Sequence, residues 1–480
     1  MKYSTLALAT QLVTFTAAFN LVKRENPKVF GLDIQRRQVV NPVARDRLRR
    51  RQKTVQQTLD NLETLYFANA SLGTPEQSLR LHIDTGSSDL WANAKTSDLC
   101  SARGDECAES GTYDANSSST YEFVNNDFNI SYVDGSGASG DYAKDTFHFG
   151  GKTIDGLQFG IGYTSSSAEG ILGIGYTVNE VQVNRAGGDP YANLPQLLAD
   201  NGDINTNAYS LWLNDLDAST GSILFGGVDT DKYTGELSKL PIIPEQGVYA
   251  EFIIALTGLG SNGNEGSIFK DETVPVLLDS GSSLMYLPDN VARSLYSTYN
   301  AQYDSSQGAA FVDCDLANEQ GSLEFTFSGP TISVPLNELV IVAGYQRGIP
   351  VCILGIGPAG DSVSVLGDTF LRSAYVVYDL ENNQIALAQT NFNATSSDIS
   401  EIATGTDGVP NAAVVTNAVS TVAVETGGGR INGPSINPSA SVGRSTASST
   451  GASTPMMTAN PWLGGAAVAG AGIMMGFNGF

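Results

Sequence analysis

Histidine is almost missing from this chain: His82 and His148 are the two it has. A serine or cysteine hydrolase needs an imidazole as general base, so nucleophilic side-chain catalysis has little to draw on. Cysteine is scarce too. Cys100, Cys107, Cys314 and Cys352 are the four in 480 residues, with no CxxC or His-Cys spacing of the kind that ligates zinc. No metal site and no cofactor are expected. Basic residues are outnumbered, 26 against 50 acidic ones, and a net charge of −24 repels nucleic acid. The same excess favours work at low pH, where protonated carboxylates relieve self-repulsion. Charged residues of either sign make up 16%, while glycine reaches 52 and proline 18. That balance suits short strands and tight turns better than helical bundles.

What basic charge there is gathers at the front. The first 51 positions hold 11 Lys or Arg and three acids (Glu25, Asp33, Asp46), leaving 15 basic against 47 acidic residues behind them. Lys2, the mostly apolar LALATQLVTFTAA and the small Ala17 and Ala18 fit a secretory signal peptide over 1–18. A basic propeptide over 19–51 is expected to lie over an acidic cleft until it is cut at Arg49-Arg50-Arg51, with Arg36-Arg37 a second candidate. In a secreted chain four cysteines allow three pairings, and the local pairs Cys100–Cys107 and Cys314–Cys352 are the economical choice.

From Leu62 to Phe392 apolar runs alternate with Gly, Asn and Asp punctuation, as in an all-β protein. Two stretches read as helical: 192–202, and 288–303 with Asp289 as a candidate N-cap and Val291, Leu295 and Tyr299 on one face. After Phe392 the composition turns to Ser, Thr, Ala, Gly and Pro without periodicity, which predicts a glycosylated stalk over 393–455. N-x-S/T sequons stand at Asn69, Asn116, Asn129 and Asn393. The chain closes with the uncharged WLGGAAVAGAGIMMGFNGF. The small triplet Gly451-Ala452-Ser453, a polar spacer and this tail fit a glycosylphosphatidylinositol signal, with Gly451 as attachment residue and 456–480 removed.

Residues 81–91 read LHIDTGSSDLW, an apolar run ending in Asp84 and then wrapped in small residues. A polar turn explains one such stretch. Residues 276–288, VLLDSGSSLMYLP, do the same around Asp279. A D-[ST]-G-[ST]-S match arises by chance about once per hundred such chains, and two at equivalent places far less often. An echo follows each: Ile171-Leu172-Gly173 lies 87 residues after Asp84, and Val365-Leu366-Gly367 lies 86 after Asp279. The halves therefore read as duplicated lobes, 52–235 and 236–392, facing each other so that Asp84 and Asp279 meet. Two carboxylates that close share one proton, so one can accept a proton from water while the other donates to a substrate carbonyl. Gly86 and Gly281 let backbone N–H groups approach, and the hydroxyls of Thr85, Ser87, Ser280 and Ser282 can add donors.

With these residues in view, the chain resembles the pepsin-like aspartic proteases over roughly 62–392. YFANASLGTPEQSLRLHIDTGSSDLW looks like that family's opening strands, ISYVDGSGASGDYAKDTF like its flap, and GILGIGY, GSILFGGVDTDKYTGEL and VLGDTFLRSAYVVYDLENNQIALA follow in the expected order. The stalk, the anchor signal and the tribasic site look most like the fungal yapsin-type members. The resemblance implies a bilobal all-β fold with the active-site cleft between its lobes. It also implies that Asp84 and Asp279 activate water without a covalent enzyme intermediate. Tyr132 then matches the flap tyrosine and Trp91 the indole that supports it, while Ser282, Ser283, Gly86 and Gly281 flank substrate. Val133 departs from the glycine that often follows the flap tyrosine.

The expected protein is a monomeric endopeptidase acting on peptides and proteins, anchored on the outer face of the plasma membrane or in the cell wall. Asp134 at the flap tip and Glu180 after GILGIGY are candidates for preferring Lys or Arg beside the scissile bond. Two other classes compete. A catalytically inactive pepsin-like binding module would have lost one of the aspartates. A structural cell-wall glycoprotein would show no internal duplication.

Overall fold

The computed structural model describes residues 27–37, 65–102, 106–132, 136–218 and 220–424. Strands dominate, and the duplication read from the sequence is visible in their pairing. In the first half the Gln77–Asp84 strand runs parallel to Gly170–Gly173, which lies antiparallel to Leu90–Asn93, which in turn runs parallel to Lys152–Ser165. In the second half Asn264–Leu278 runs parallel to Ser364–Leu366, then Met285–Leu287 antiparallel, then Ile356–Pro358 parallel. Both arrangements bring the strand that ends at an Asp-turn beside the apolar-apolar-Gly echo. Gly173 and Gly367 are required there. A Cβ on Gly173 would sit 2.6 Å from the Asp89 nitrogen, and one on Gly367 would sit 2.2 Å from the Ser282 carbonyl oxygen.

The halves are also interlaced. Ala208–Trp212 from the first half pairs with Ala374–Asp379 from the second, and Tyr233–Pro241 pairs with Gln384–Thr390. The expected lobe boundary at 235/236 therefore falls inside a strand of this shared sheet. Tyr209, Phe252 and Tyr378 pack beneath it, with Tyr209 stacked on Tyr378 at 4.9 Å. The predicted helices form over Leu194–Asp200 and Asp289–Thr298. Asp289 is the first helical residue rather than the cap, a place taken by Pro288, and its Oδ1 accepts from the Gly360 N–H. Val291 and Leu295 are buried as expected, whereas Tyr299 is the residue that ends the helix.

Two segments outside 62–392 join the sheets. Residues Phe30–Arg37, expected in a propeptide lying over a cleft, form a strand paired with Thr220–Phe225 on one side and Leu65–Leu72 on the other. Leu32 and Ile34 alternate inward from it, which is how a half-buried strand earns its place. The segment after Phe392 is not stalk at its start. Ile399–Glu401 pairs with Gly227–Asp229, and Ala412–Val414 runs parallel to Tyr233–Pro241. Ile402 and Val409 are buried, and Lys239, itself buried, donates to the Asp407 carboxylate at 2.8 Å. Residues 393–424 thus belong to the folded body. The disulfides are the local ones, Cys100–Cys107 and Cys314–Cys352. Among the described residues no helix is long and apolar enough to cross a membrane, and no cluster of His, Cys, Asp and Glu could hold a metal ion. The signal peptide, the tribasic site, Asp134, Gly451 and the tail lie outside the described residues.

Candidate active site

Leu81 and Ile83 lead into Asp84, and Val276, Leu277 and Leu278 lead into Asp279, all of them buried. Strands this apolar carry each carboxylate to a place where it is 1% and 2% exposed, respectively. A buried carboxylate is costly unless hydrogen-bonded, and each receives the same two donors. The Gly86 N–H reaches Asp84 Oδ1 at 2.9 Å and the Ser87 hydroxyl reaches Oδ2 at 2.6 Å. The Gly281 N–H reaches Asp279 Oδ1 at 2.8 Å and the Ser282 hydroxyl reaches Oδ2 at 2.8 Å. Each turn thus folds back so that the amide two residues on points at its own carboxylate.

Thr85 and Ser280 behave differently from expectation. Their hydroxyls do not serve the carboxylates but cross to the opposite half. Thr85 Oγ1 donates to the Leu278 carbonyl at 3.0 Å, and Ser280 Oγ donates to the Ile83 carbonyl at 3.0 Å. Each also accepts from the other's backbone: Ser280 N–H to Thr85 Oγ1 at 2.9 Å, and Thr85 N–H to Ser280 Oγ at 3.2 Å. These four bonds join residue pairs 193–197 positions apart in the chain and set the two Asp-turns against each other. His82 lies in the same contact, its Nε2 3.3 Å from the Ser280 carbonyl oxygen, and serves the joint rather than a nucleophile.

Seven residues after Asp84, the Trp91 indole N–H donates to the Tyr132 hydroxyl at 2.6 Å. Tyr132 stands at the end of the hairpin formed by Glu122–Ser131 and Gly137–Phe149, closed where the Tyr132 N–H reaches the Ser136 carbonyl. The structure therefore assembles Asp84, Asp279, Gly86, Gly281 and Ser282, with Trp91 and Tyr132 paired beside them. Ser283 is fully buried, and its carbonyl accepts from the Thr369 hydroxyl at 2.8 Å. That bond braces the second Asp-turn against the helix at Asp368–Leu371.

Glu180 requires a correction. It was expected to meet basic substrates in the cleft, yet it is 0% exposed. Its Oε2 accepts from the Tyr191 N–H at 2.9 Å, and burial, with Asp89 nearby, pushes its carboxyl up to about 10. A neutral, enclosed acid cannot pair with a substrate cation. Asp89, the residue that closes the first Asp-turn, was not singled out by sequence. It is buried and accepts from the hydroxyls of Tyr142 at 2.6 Å and Tyr191 at 2.9 Å and from the Val181 N–H at 2.9 Å. Burial raises its pKa against the opposing effect of those donors and of Arg185. Its signal was present in LHIDTGSSDLW, where a second aspartate follows the first by five residues. The four sequon asparagines, Asn69, Asn116, Asn129 and Asn393, are all exposed.

Comparison with known proteins agrees with this geometry. The family model for eukaryotic aspartyl protease matches residues 65–390. The chain is 58% identical to "Probable aspartic-type endopeptidase opsB" of Aspergillus oryzae, over 87% of this chain and 88% of the relative. It is 34% identical to aspartic proteinase yapsin-3 of Saccharomyces cerevisiae, over 90% of this chain and 86% of that one. In fold it matches the aspartic proteinase from Irpex lacteus with a TM-score of 0.58 at 22% identity, covering 77% of this chain and 100% of that one.

Proposed function

Because the chain belongs to the eukaryotic aspartyl protease family and is an aspartic-type endopeptidase, we propose that it acts as a secreted enzyme held at the cell surface, working at acidic pH and preferring basic residues at the cleavage site. The chemistry rests on one observation: two identically furnished carboxylates, Asp84 and Asp279, on turns bonded directly to each other. One carboxylate takes a proton from a water as that water attacks the scissile carbonyl. The other, protonated, donates to the carbonyl oxygen, and a proton then passes to the leaving nitrogen. With one oxygen of each aspartate fixed by an amide and the other by a serine hydroxyl, the pair is oriented before substrate arrives. Replacing either carboxylate by an amide removes the shared proton. Asp279→Asn should abolish hydrolysis of a peptide library while leaving the melting temperature near that of the parent. Substantial residual turnover would overturn the mechanism.

Location rests on sequence. A leader with a small-residue end at Ala17-Ala18 supports secretion, and processing at Arg49-Arg50-Arg51 would cut the chain between the paired strand Phe30–Arg37 and the acidic body. The small triplet at Gly451 with its spacer and apolar tail supports a lipid anchor. Phosphatidylinositol-specific phospholipase should release the enzyme from intact cells; retention after that treatment would argue against the anchor. With Glu180 enclosed, the basic preference rests on Asp134 and on the body's 47 acidic residues. Asp134→Asn should lower kcat/KM for a Lys- or Arg-centred peptide and spare a Leu-centred one. Equal losses on both would end that part of the reading.

A further inference from the structure

The hairpin that carries Tyr132 is gripped on both strands, and both grips lead back to the catalytic turn. On the returning strand, Tyr142 donates to Asp89 Oδ1 at 2.6 Å. On the outgoing strand the grip is Arg185. Its Nη1 donates to the Asn129 carbonyl at 3.0 Å and to the Ser131 hydroxyl at 2.9 Å, and its Nη2 donates to the Ser131 carbonyl at 3.1 Å. Ser131 immediately precedes Tyr132. Arg185 in turn closes the short turn Val181–Asn184, its N–H on the Val181 carbonyl, and the Val181 N–H is held by Asp89 Oδ2 at 2.9 Å. The path from catalytic turn to flap is thus continuous: Asp89, Val181, Arg185, Ser131, Tyr132.

We infer that Arg185 is a flap-positioning residue, a guanidinium fork that fixes the height of Tyr132 relative to the turn bearing Asp84. The chemistry suits arginine and not lysine. A planar fork with two nitrogens meets three acceptors spread over Asn129 and Ser131, where a single ammonium on a flexible stem has no fixed second donor. Arg185 is exposed, so its bonds stand in competition with water and add little to global stability. Their effect falls on where the hairpin rests. On the far side of Tyr132 the hydroxyl meets the Trp91 indole, which is fully buried and so reports the hairpin's position.

The inference rests on the endopeptidase assignment and is tested separately from it. In the full chain as secreted, Arg185→Ala should raise KM for a peptide long enough to lie under the flap by about fivefold to tenfold, with kcat held within about twofold. Indole emission should shift to the red as Trp91 gains water. Arg185→Lys should recover only a minor part of the KM. A melting temperature lowered while KM, kcat and emission stay at parental values would overturn the inference, because the fork would then be merely structural. Full rescue by lysine would overturn it too, since charge alone would suffice. Failure of the endopeptidase reading has a different signature, namely turnover that survives Asp279→Asn whatever stands at 185.

Discussion

Thr85 and Ser280 hold each other across the two halves of the molecule, each hydroxyl accepting from the other's backbone N–H, at 2.9 and 3.2 Å, while donating to a carbonyl one residue before the opposite aspartate. Neither residue touches the chemistry. Together they decide how far apart the two carboxylates stand.

A first prediction concerns that joint. Thr85→Val keeps the shape and removes the hydroxyl, leaving the Leu278 carbonyl and the Ser280 N–H buried without their partner. The cost should be about 2–4 kcal/mol of stability, since buried groups left unpaired carry their full desolvation penalty. Activity should fall by about 10- to 100-fold even where the protein is fully folded, because the carboxylates lose their spacing. Chemical denaturation and kcat/KM measured on the same preparation check both halves of the statement.

A second concerns pH. Glu180 ionises in the folded chain only near pH 10, against an ordinary value of 4.5. A raised carboxyl favours the folded state fully below its unfolded value, and that contribution is lost as pH rises toward the folded one. Between pH 4.5 and 7 the loss is on the order of 3 kcal/mol for a group this enclosed. Asp89 and Asp379, also raised by burial, act in the same direction. The protein should therefore melt at higher temperature near pH 4 than near pH 7. Glu180→Gln, which mimics the neutral acid, should flatten that difference, and calorimetry at the two pH values would show it.

The disulfides should differ in weight. Cys314–Cys352 closes a separation of 38 residues and Cys100–Cys107 one of 7. Loop-closure entropy then assigns about 4 kcal/mol to the first and about 2.5 to the second. Paired Cys→Ala variants compared by urea denaturation should keep that order.

Truncation should locate the true end of the folded body. A chain stopped after 392 loses two strands and exposes the surface beneath Ile402 and Val409, so it should be recovered poorly or aggregated. One stopped after 424 should be soluble and active. Equal yields and activities from both would show that the segment adds nothing.

The Asp-turns were legible because their residues are needed for local reasons, a carboxylate, a glycine whose amide turns back, and a hydroxyl, and because they occur twice. The echo at Gly173 and Gly367 was legible for the same cause, since only a residue without Cβ fits there. The segment 399–414 was not. Its strands have three residues each and are held by pairing to strands more than 160 positions away, which no local periodicity records. Phe30–Arg37 hides differently: Phe30, Leu32 and Ile34 alternate as a strand should, but the surrounding positive charge masks that pattern. Glu180 shows a third limit. A glutamate after an apolar run reads as a surface charge, and only tertiary packing reveals it as a buried, neutral acid.

The interlaced sheet means that continuity of the chain and integrity of the enzyme are separate matters. Gln246 to Tyr249 form an exposed turn between the two halves, with Glu245 and Val248 bridged across it. A protease that nicks the backbone there would produce two polypeptides. They would nevertheless remain one particle, since Ala208–Trp212 stays paired to Ala374–Asp379 and Tyr233–Pro241 to Gln384–Thr390. Such a cut would be seen on a denaturing gel and missed by size exclusion, and each fragment would carry one aspartate of the pair into a complex that still holds both.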